Sequence, residues 1–172
     1  MVWKNRRVVA RTFRQGATVI VAAALLATAA AVAVFGASGA AARPSALAAV
    51  KVSTKKLPKL GTVLVNARGR TLYMFVPDKR NRVTCVRTCA AVWPPLKLAK
   101  GQEAVAAGQA KSSLLRSDSN PTGGRVVTYA RWPLYTYVGD ASAGTAKGQA
   151  LNLNGGLWYV LAPSGTVIRK KP

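Results

Sequence analysis

Two of the few side chains that could do acid–base or metal chemistry end the same seven-residue phrase. The chain has four acidic residues, 26 basic residues and no His. The phrase LYMFVPD ends at Asp78 and the phrase LYTYVGD ends at Asp140, so Tyr73 and Tyr135 each stand five residues before an Asp. Paired carboxylates carry out glycoside hydrolysis, and carboxylate oxygens are ligands that Ca²⁺ prefers.

The sequence leaves three roles open for Asp78 and Asp140. A carboxylate where a strand meets a loop accepts backbone N–H bonds, and it can also pair with a Lys, an Arg or a Tyr hydroxyl. Alternatively, internal symmetry brings both carboxylates to one cation, although too few other acids remain to complete the about six to eight oxygens around Ca²⁺. A paired-carboxylate hydrolase is disfavoured because the chain lacks the commonest general base. We predict an architectural role, no catalytic residue and no cofactor, with both aspartates as weak metal candidates.

Cys85 and Cys89 are separated by three residues in CVRTC. Outside the cytoplasm such a pair forms a disulfide, and we predict one that staples the loop after Asp78. A redox-active pair is the alternative, although thioredoxin-like sites have two intervening residues. Zinc and c-type haem are disfavoured because the necessary ligands and the C-x-x-C-H motif are missing from the sequence.

The elements around each Asp are repeated. In GTVLVNARGRTLYMFVPD two β-prone runs flank a turn at Gly69, and GRVVTYARWPLYTYVGD has the same order with a shorter turn. A Trp follows each Asp, Trp93 in CAAVWPPL and Trp158 in GGLWYVLAPSG, and we predict that both rings pack on the core. Repetition of this kind indicates a duplicated supersecondary unit.

Side chains alternate between the two faces of a strand. This alternation places Tyr73 and Phe75 on one face of the first motif strand, and Tyr135 and Tyr137 on one face of the second. The opposite face of the first strand is apolar as well, which predicts a central strand buried on both sides.

The predicted fold is mostly β: two pseudo-symmetric β-hairpin repeats form a small sandwich or barrel-like domain, preceded by an N-terminal apolar helix. Between the repeats, GQEAVAAG predicts a helical turn or a covering loop, and SDSNPTGG predicts a turn. The predicted segments are a signal peptide or membrane anchor at 1–42, a linker at 43–60, the first repeat at 61–100, a connection at 101–123, the second repeat at 124–168 and a basic tail at 169–172.

Residues 1–42 have the composition of an export segment. Five basic residues precede Gly16, and no charged residue occurs from Ala17 to Ala42. Such a segment is a secretory signal or an N-terminal anchor, and the positive-inside rule places the rest of the chain outside the cytoplasm. The run is long enough for a span of about 20 residues, so cleavage and retention both stay open. Arg6-Arg7 also leaves the twin-arginine route open beside the general secretory route.

The charge of the chain indicates its partners. The net charge is +22, and only six of the 26 basic residues lie before residue 44, so the exported part remains strongly basic. Such a surface is attracted to polyanions by long-range forces that salt weakens. Anionic cell-envelope polymers and lipid headgroups are the predicted partners. Nucleic acid is disfavoured because the aromatic residues occupy strand-buried positions and the basic residues are scattered.

Together these segments resemble a bacterial secreted-repeat family with the motif Tyr-x-(Phe/Trp/Tyr)-x-x-Asp, often called predicted lipoproteins. The motif is filled by Tyr73, Phe75 and Asp78 in the first copy and by Tyr135, Tyr137 and Asp140 in the second. The resemblance covers roughly residues 59–168 and implies an exported protein without an assigned biochemical function. The chain lacks a lipobox Cys, Thr145 stands where the family has an acid, and Ala150 stands where it has a Gly.

The predicted function is a non-catalytic cell-envelope protein that associates electrostatically with anionic polymers or lipid headgroups. It would also lie on the cytoplasmic membrane if residues 17–42 are retained. One alternative is a ligand- or cation-binding module built on Asp78 and Asp140, whose binding would survive salt and be lost in Asp78→Asn. Another is an extracytoplasmic redox protein that uses Cys85 and Cys89, which a thiol count under mild reductant would test.

Overall fold

The computed structural model describes residues 47–79 and 81–172. The predicted export segment at 1–42 and its apolar helix lie outside the described residues. Among the described residues, none of the helices is both long and apolar enough to cross a membrane.

Short strands dominate the described part of the chain. They are β1 (Val50–Leu57), β2 (Gly61–Asn66), β3 (Tyr73–Phe75), β4 (Lys97–Leu98), β5 (Ala104–Ala106), β6 (Leu115–Ser119), β7 (Arg125–Tyr129), β8 (Trp132–Pro133), β9 (Asn152–Leu153), β10 (Gly156–Leu161) and β11 (Val167–Ile168). The helical segments are α1 (Thr88–Val92) and two 3₁₀ turns, Val76–Asp78 and Ser112–Leu114. The prediction of a mostly β fold with two repeats is confirmed.

The strands form three small sheets. The first has the order β2-β1-β5, the second β11-β10-β3 with β9 also on β10, and the third β4-β7-β6 with β8 also on β7. β5 pairs with β1 in parallel, whereas β2 pairs with β1 antiparallel.

Residues 50–57 lie in the segment predicted as a linker, and that part of the prediction is wrong because they form β1. Val52 and Leu57 are buried, while the Lys side chains of β1 are exposed. The Lys and Ser content resembles a linker, but each of the two buried residues packs in a hydrophobic core. β6 pairs antiparallel with β7 as β1 does with β2, so each repeat contains a strand ahead of its predicted hairpin.

The segment GQEAVAAG was expected to form a helical turn or a covering loop, and it forms β5 instead. Val50 pairs with Ala104 and Val52 with Ala106 in a parallel register. Ala has a high helix propensity, but that preference is a weak prior that tertiary pairing overrides. Here the free edge of β1 supplies the pairing.

The predicted hairpins close only near their turns. In the first repeat the N–H of Leu72 donates to the carbonyl of Leu64 at 2.9 Å, and in the second the N–H of Leu134 donates to Val127 at 2.9 Å. Beyond these bonds each returning segment leaves its own hairpin. The first returning strand, β3, belongs to a different sheet from β2.

The returning segments pair across the two repeats. The N–H of Tyr73 donates to the carbonyl of Tyr135 at 2.8 Å, and the N–H of Tyr135 donates back to Tyr73 at 3.0 Å. Tyr73 also pairs with Val160 of the second repeat, and Tyr135 pairs with Pro95 of the first. Tyr73 and Tyr135 are therefore each flanked on both sides by residues of the other repeat, and the repeats are intertwined.

Two hydrophobic cores lie on opposite faces of the central strands, as the alternation predicted. The aliphatic core contains Val52, Leu64, Leu72, Met74, Leu98, Leu115, Val127, Tyr129, Leu134, Tyr159 and Leu161. The aromatic core contains Leu57, Leu60, Val63, Val65, Tyr73, Phe75, Cys85, Trp93, Tyr135, Trp158 and Val160.

Candidate functional site

Each motif aspartate is buried against the motif tyrosine of the other repeat. Tyr135 donates its hydroxyl to Asp78 Oδ2 at 2.7 Å, and Tyr73 donates its hydroxyl to Asp140 Oδ2 at 2.7 Å. Asp78 is 0% exposed and Asp140 is 1% exposed. Because the two tyrosines also pair through their backbones, these four residues form a crossed Tyr–Asp network that joins the repeats.

The second oxygen of each carboxylate holds the loop of its own repeat. Asp78 Oδ1 accepts the Thr84 N–H at 2.8 Å and the Thr84 hydroxyl at 2.6 Å, and the Cys85 N–H adds to this group. We call Asp78, Thr84 and Cys85 the first cradle.

The second cradle consists of Asp140, Lys147 and Gly148. Asp140 Oδ1 accepts the Lys147 N–H at 2.8 Å. The Gly148 N–H donates to the Tyr73 hydroxyl oxygen at 3.2 Å. In both cradles the carboxylate thus links its own loop to a side chain of the other repeat.

Burial raises the pKa of Asp78 and Asp140, and hydrogen bonds to the carboxylates oppose that rise. Burial, reinforced by the neighbouring carboxylates, also raises the pKa of Tyr73 and Tyr135 far above the ordinary value. Both tyrosine hydroxyls therefore remain protonated donors at physiological pH, and the carboxylates serve as their acceptors.

This geometry supports the architectural role of the aspartates. Of the partners considered from the sequence, backbone N–H groups and Tyr hydroxyls bind the carboxylates. Each Asp lies in its own cradle, with its oxygens withdrawn from solvent. Within residues 47–79 and 81–172, no group of three or more His, Cys, Asp or Glu is placed to hold a metal ion.

Trp93 and Trp158 are both 0% exposed and lie at the centre of a four-ring stack. Their ring centroids are 3.8 Å apart and their planes differ by 2°. Phe75 stacks on Trp158 at 4.1 Å, and Tyr137 stacks on Trp93 at 4.2 Å. The motif tyrosines meet the same two indoles edge-on at 5.4 and 5.3 Å. Because such ring pairs add about 0.5–1.5 kcal/mol beyond area burial, the stack is a second link between the repeats.

The loops of the two cradles are held in place by different interactions: a disulfide in the first and side-chain hydrogen bonds in the second. In the first, Cys85 forms a disulfide with Cys89, which confirms the predicted staple; the S–S distance is 1.98 Å and the Cα atoms are 5.2 Å apart. In the second, the buried side chain of Gln149 accepts the Val160 N–H at 2.9 Å. Its amide group also donates to the carbonyls of Ile168 and Lys170, both at 2.7 Å.

Sequence reasoning missed Thr84, Gly148 and Gln149. Gly148 must be small because a Cβ at this position would lie 2.7 Å from Trp93 Cη2 and 2.9 Å from Tyr73 Cζ. The signal in the sequence is the Gly-Gln pair, a small residue and an amide directly before the apolar Ala150-Leu151. Ala150 has a φ of 59°, a left-handed conformation that explains the Gly of the family pattern at this position.

The comparisons with known proteins agree with the duplicated geometry. No curated protein and no solved structure matches the chain. The sequence model of a family described as a secreted repeat of unknown function matches residues 55–97 and 117–162. Each matched segment contains one motif, one cradle and one indole of the ring stack, and the two segments cover about half of the chain. The chain therefore belongs to this family of secreted repeats and is an exported, extracytoplasmic protein.

Proposed function

We propose that this exported protein is a non-catalytic component of the cell envelope that associates electrostatically with anionic envelope polymers or lipid headgroups. The observation that supports this proposal most directly is that the described basic side chains, with one exception, are exposed while two of the four acidic side chains are buried. Every described Lys and Arg side chain except Arg70 is exposed, whereas Asp78 and Asp140 are buried. Burial of these two carboxylates leaves the surface more positive than the composition alone indicates.

The basic side chains are exposed to solvent, where an outside anion can reach them. Only Glu103 and Asp118 remain as acids outside the buried network. Each basic residue close to an anionic membrane surface contributes about 1 kcal/mol of attraction, which falls off within a Debye length. Several such residues acting together suffice for binding that salt reverses.

The alternatives have weaker support. A cation-binding module would have to break the hydrogen bonds that occupy Asp78 and Asp140. A redox protein would have to open the disulfide of Cys85, which is 1% exposed. An acid–base enzyme would have only the carboxylates of Glu103 and Asp118 outside the buried network, and these two line different clefts.

Co-sedimentation with isolated bacterial envelopes tests the proposal. Residues 43–172, which form a compact unit of their own, are mixed with envelopes across a salt series. We expect binding to fall steeply as the Debye length shrinks from about 30 Å at low salt to about 3 Å at 1 M. Binding that is independent of salt would refute the electrostatic mechanism.

A matched pair of variants separates charge from fold. Lys97, Lys100 and Lys111 are exposed and belong to neither cradle, so replacing all three with Gln removes charge and leaves every residue of the network in place. The control replaces the same three with Arg. We expect the Gln variant to bind more weakly and the Arg variant to bind as the natural protein does; equal binding by all three proteins would contradict the proposal.

A further inference from the structure

Two surface clefts lie at equivalent places in the two halves of the domain. One has a volume of about 330 Å³ and is lined by Leu57, Pro58, Leu60, Gly144, Thr145, Ala146, Lys147 and Pro172. The other has a volume of about 580 Å³ and is lined by Asn81, Arg82, Val83, Thr84, Asp118, Ser119 and Pro121. We call them the lysine cleft and the twin cleft. They correspond because Lys147 and Thr84 both donate a backbone N–H to a motif aspartate.

The lysine cleft has an apolar floor that is continuous with the aromatic core. Leu57 and Leu60 line the cleft and belong to that core, whereas the lining residues Pro58 and Pro172 are exposed. The lining of the twin cleft combines the apolar Val83 and Pro121 with the polar Asp118 and Ser119. The lining of the lysine cleft is therefore the more apolar of the two.

The rim of the lysine cleft is basic. Lys147 lines the cleft and is exposed, and Lys59, also exposed, stands between two lining residues. The ammonium group of Lys55 lies against Gly144, since a Cβ built on that glycine would be 2.9 Å from Nζ. In the twin cleft the basic Arg82 is accompanied by the carboxylate of Asp118. The two clefts therefore differ in charge as well as in polarity.

We propose that the lysine cleft is the face by which the protein docks on an anionic lipid bilayer. Its lysines would contact headgroup phosphates, and its apolar floor would face the glycerol and first acyl carbons of a lipid. The volume lies at the lower end of the about 300–1,000 Å³ usual for ligand pockets. A hydrophilic polymer would satisfy the lysines but leave the floor without a matching group, whereas interfacial binding combines apolar burial with attraction to anionic lipid. This inference rests on the proposed function and narrows its partner to lipid.

Vesicle binding by charge-matched variants tests the inference. The cleft variant carries Lys55→Gln and Lys147→Gln, and the control carries Arg82→Gln and Lys97→Gln, so the net charges are equal. The probes are vesicles of phosphatidylglycerol mixed with phosphatidylcholine, vesicles of phosphatidylcholine alone, and soluble polyphosphate. We expect the cleft variant to lose about 30-fold in affinity for the anionic vesicles, the control to lose only a few-fold, and both to lose similarly toward polyphosphate.

A third variant, Pro58→Ser, keeps the charge and makes one exposed lining residue polar. We expect it to weaken binding to the anionic vesicles and to leave polyphosphate binding unchanged. Unfolding midpoints of all variants verify that each one folds.

The failures of the two proposals are distinguishable. Equal losses in the cleft variant and the control would show that net charge alone acts, and the docking face would be refuted while the proposed function stands. Binding to envelopes and polyphosphate but not to anionic vesicles would refute lipid as the partner. If the natural protein binds none of these anionic probes, the proposed function fails as well.

Discussion

The crossed Tyr–Asp network predicts which pairs of substitutions are energetically coupled. The hydroxyl of Tyr135 donates at 2.7 Å to Asp78, which is 0% exposed. Tyr135→Phe removes this donor, so the buried Asp78 Oδ2 loses a hydrogen bond that offsets the cost of removing the carboxylate from water. Hydrogen bonds to charged groups contribute about 1.5–3 kcal/mol, so the free energy of unfolding should fall by that amount.

A double-mutant cycle identifies the partner. Combining Tyr135→Phe with Asp78→Asn should give a coupling energy of about 1–3 kcal/mol, because the two side chains share one hydrogen bond. Tyr73→Phe with Asp78→Asn is the matched control: both residues come from the same phrase LYMFVPD, yet they form no hydrogen bond with each other. That pair should be additive within about 0.5 kcal/mol.

Urea unfolding of residues 43–172 with the disulfide intact provides the measurement. The free energies come from linear extrapolation, with an unchanged denaturant slope as the sign that the native and unfolded states are comparable. If the coupling energy between Tyr73 and Asp78 equals or exceeds the coupling energy between Tyr135 and Asp78, the crossed arrangement is refuted.

Three further predictions concern the cradles. Burial raises the pKa of Asp78 and Asp140 in the folded state above the ordinary 3.8, so the native state binds their protons more tightly than the unfolded state does. Their contribution to stability therefore grows as pH falls toward that ordinary value and is lost as pH rises through the folded pKa. The free energy of unfolding measured against pH should show a flatter slope in Asp78→Asn, and an unchanged slope would contradict this. Reduction of the Cys85–Cys89 disulfide should lower the free energy of unfolding by about 2 kcal/mol, because the bond closes a five-residue loop. It should also accelerate amide hydrogen exchange in the first cradle but not in the second, and equal acceleration in both would show that the disulfide does not act locally. Gly148→Ala should destabilise the domain by about 1–3 kcal/mol through overpacking. It should also alter the near-ultraviolet circular dichroism of the stacked indoles. If neither stability nor the spectrum changes, the ring stack accommodates the added methyl group and the argument for a small residue at this position is wrong.

The features that depend on local pattern can be predicted from the amino-acid sequence alone. The repeated phrase, the alternation of faces at Tyr73 and Phe75, and the disulfide of Cys85 and Cys89 all follow from spacing within a few residues. Residue order along a strand fixes which side chains share a face, because the backbone alternates with a period of two residues. The two apolar faces of the first motif strand therefore predict a hydrophobic core on each side of that strand.

The strand β1 shows where local pattern fails. Its Lys and Ser residues have the composition of a linker, and only Val52 and Leu57 mark its buried sides. A strand with mixed faces gains its identity from the neighbour that it pairs with, and here that neighbour is β2. The same reason explains β5, whose Ala-rich segment became a strand because the other edge of β1 was open.

The way in which the two copies fit together is visible only in the folded chain. Nothing within LYMFVPD indicates that its Asp binds the Tyr of LYTYVGD and not its own. That choice depends on the exchange of strands between repeats, on the stacking of Trp93 against Trp158, and on Gly148 being small enough to admit both rings. The lysine cleft has the same origin, since the side chain of Lys55 lies against Gly144, which is 89 positions away in the chain, only because of the fold. Contacts between distant segments are set by packing and by mutual burial, and these are properties of the whole chain that no short stretch of it contains.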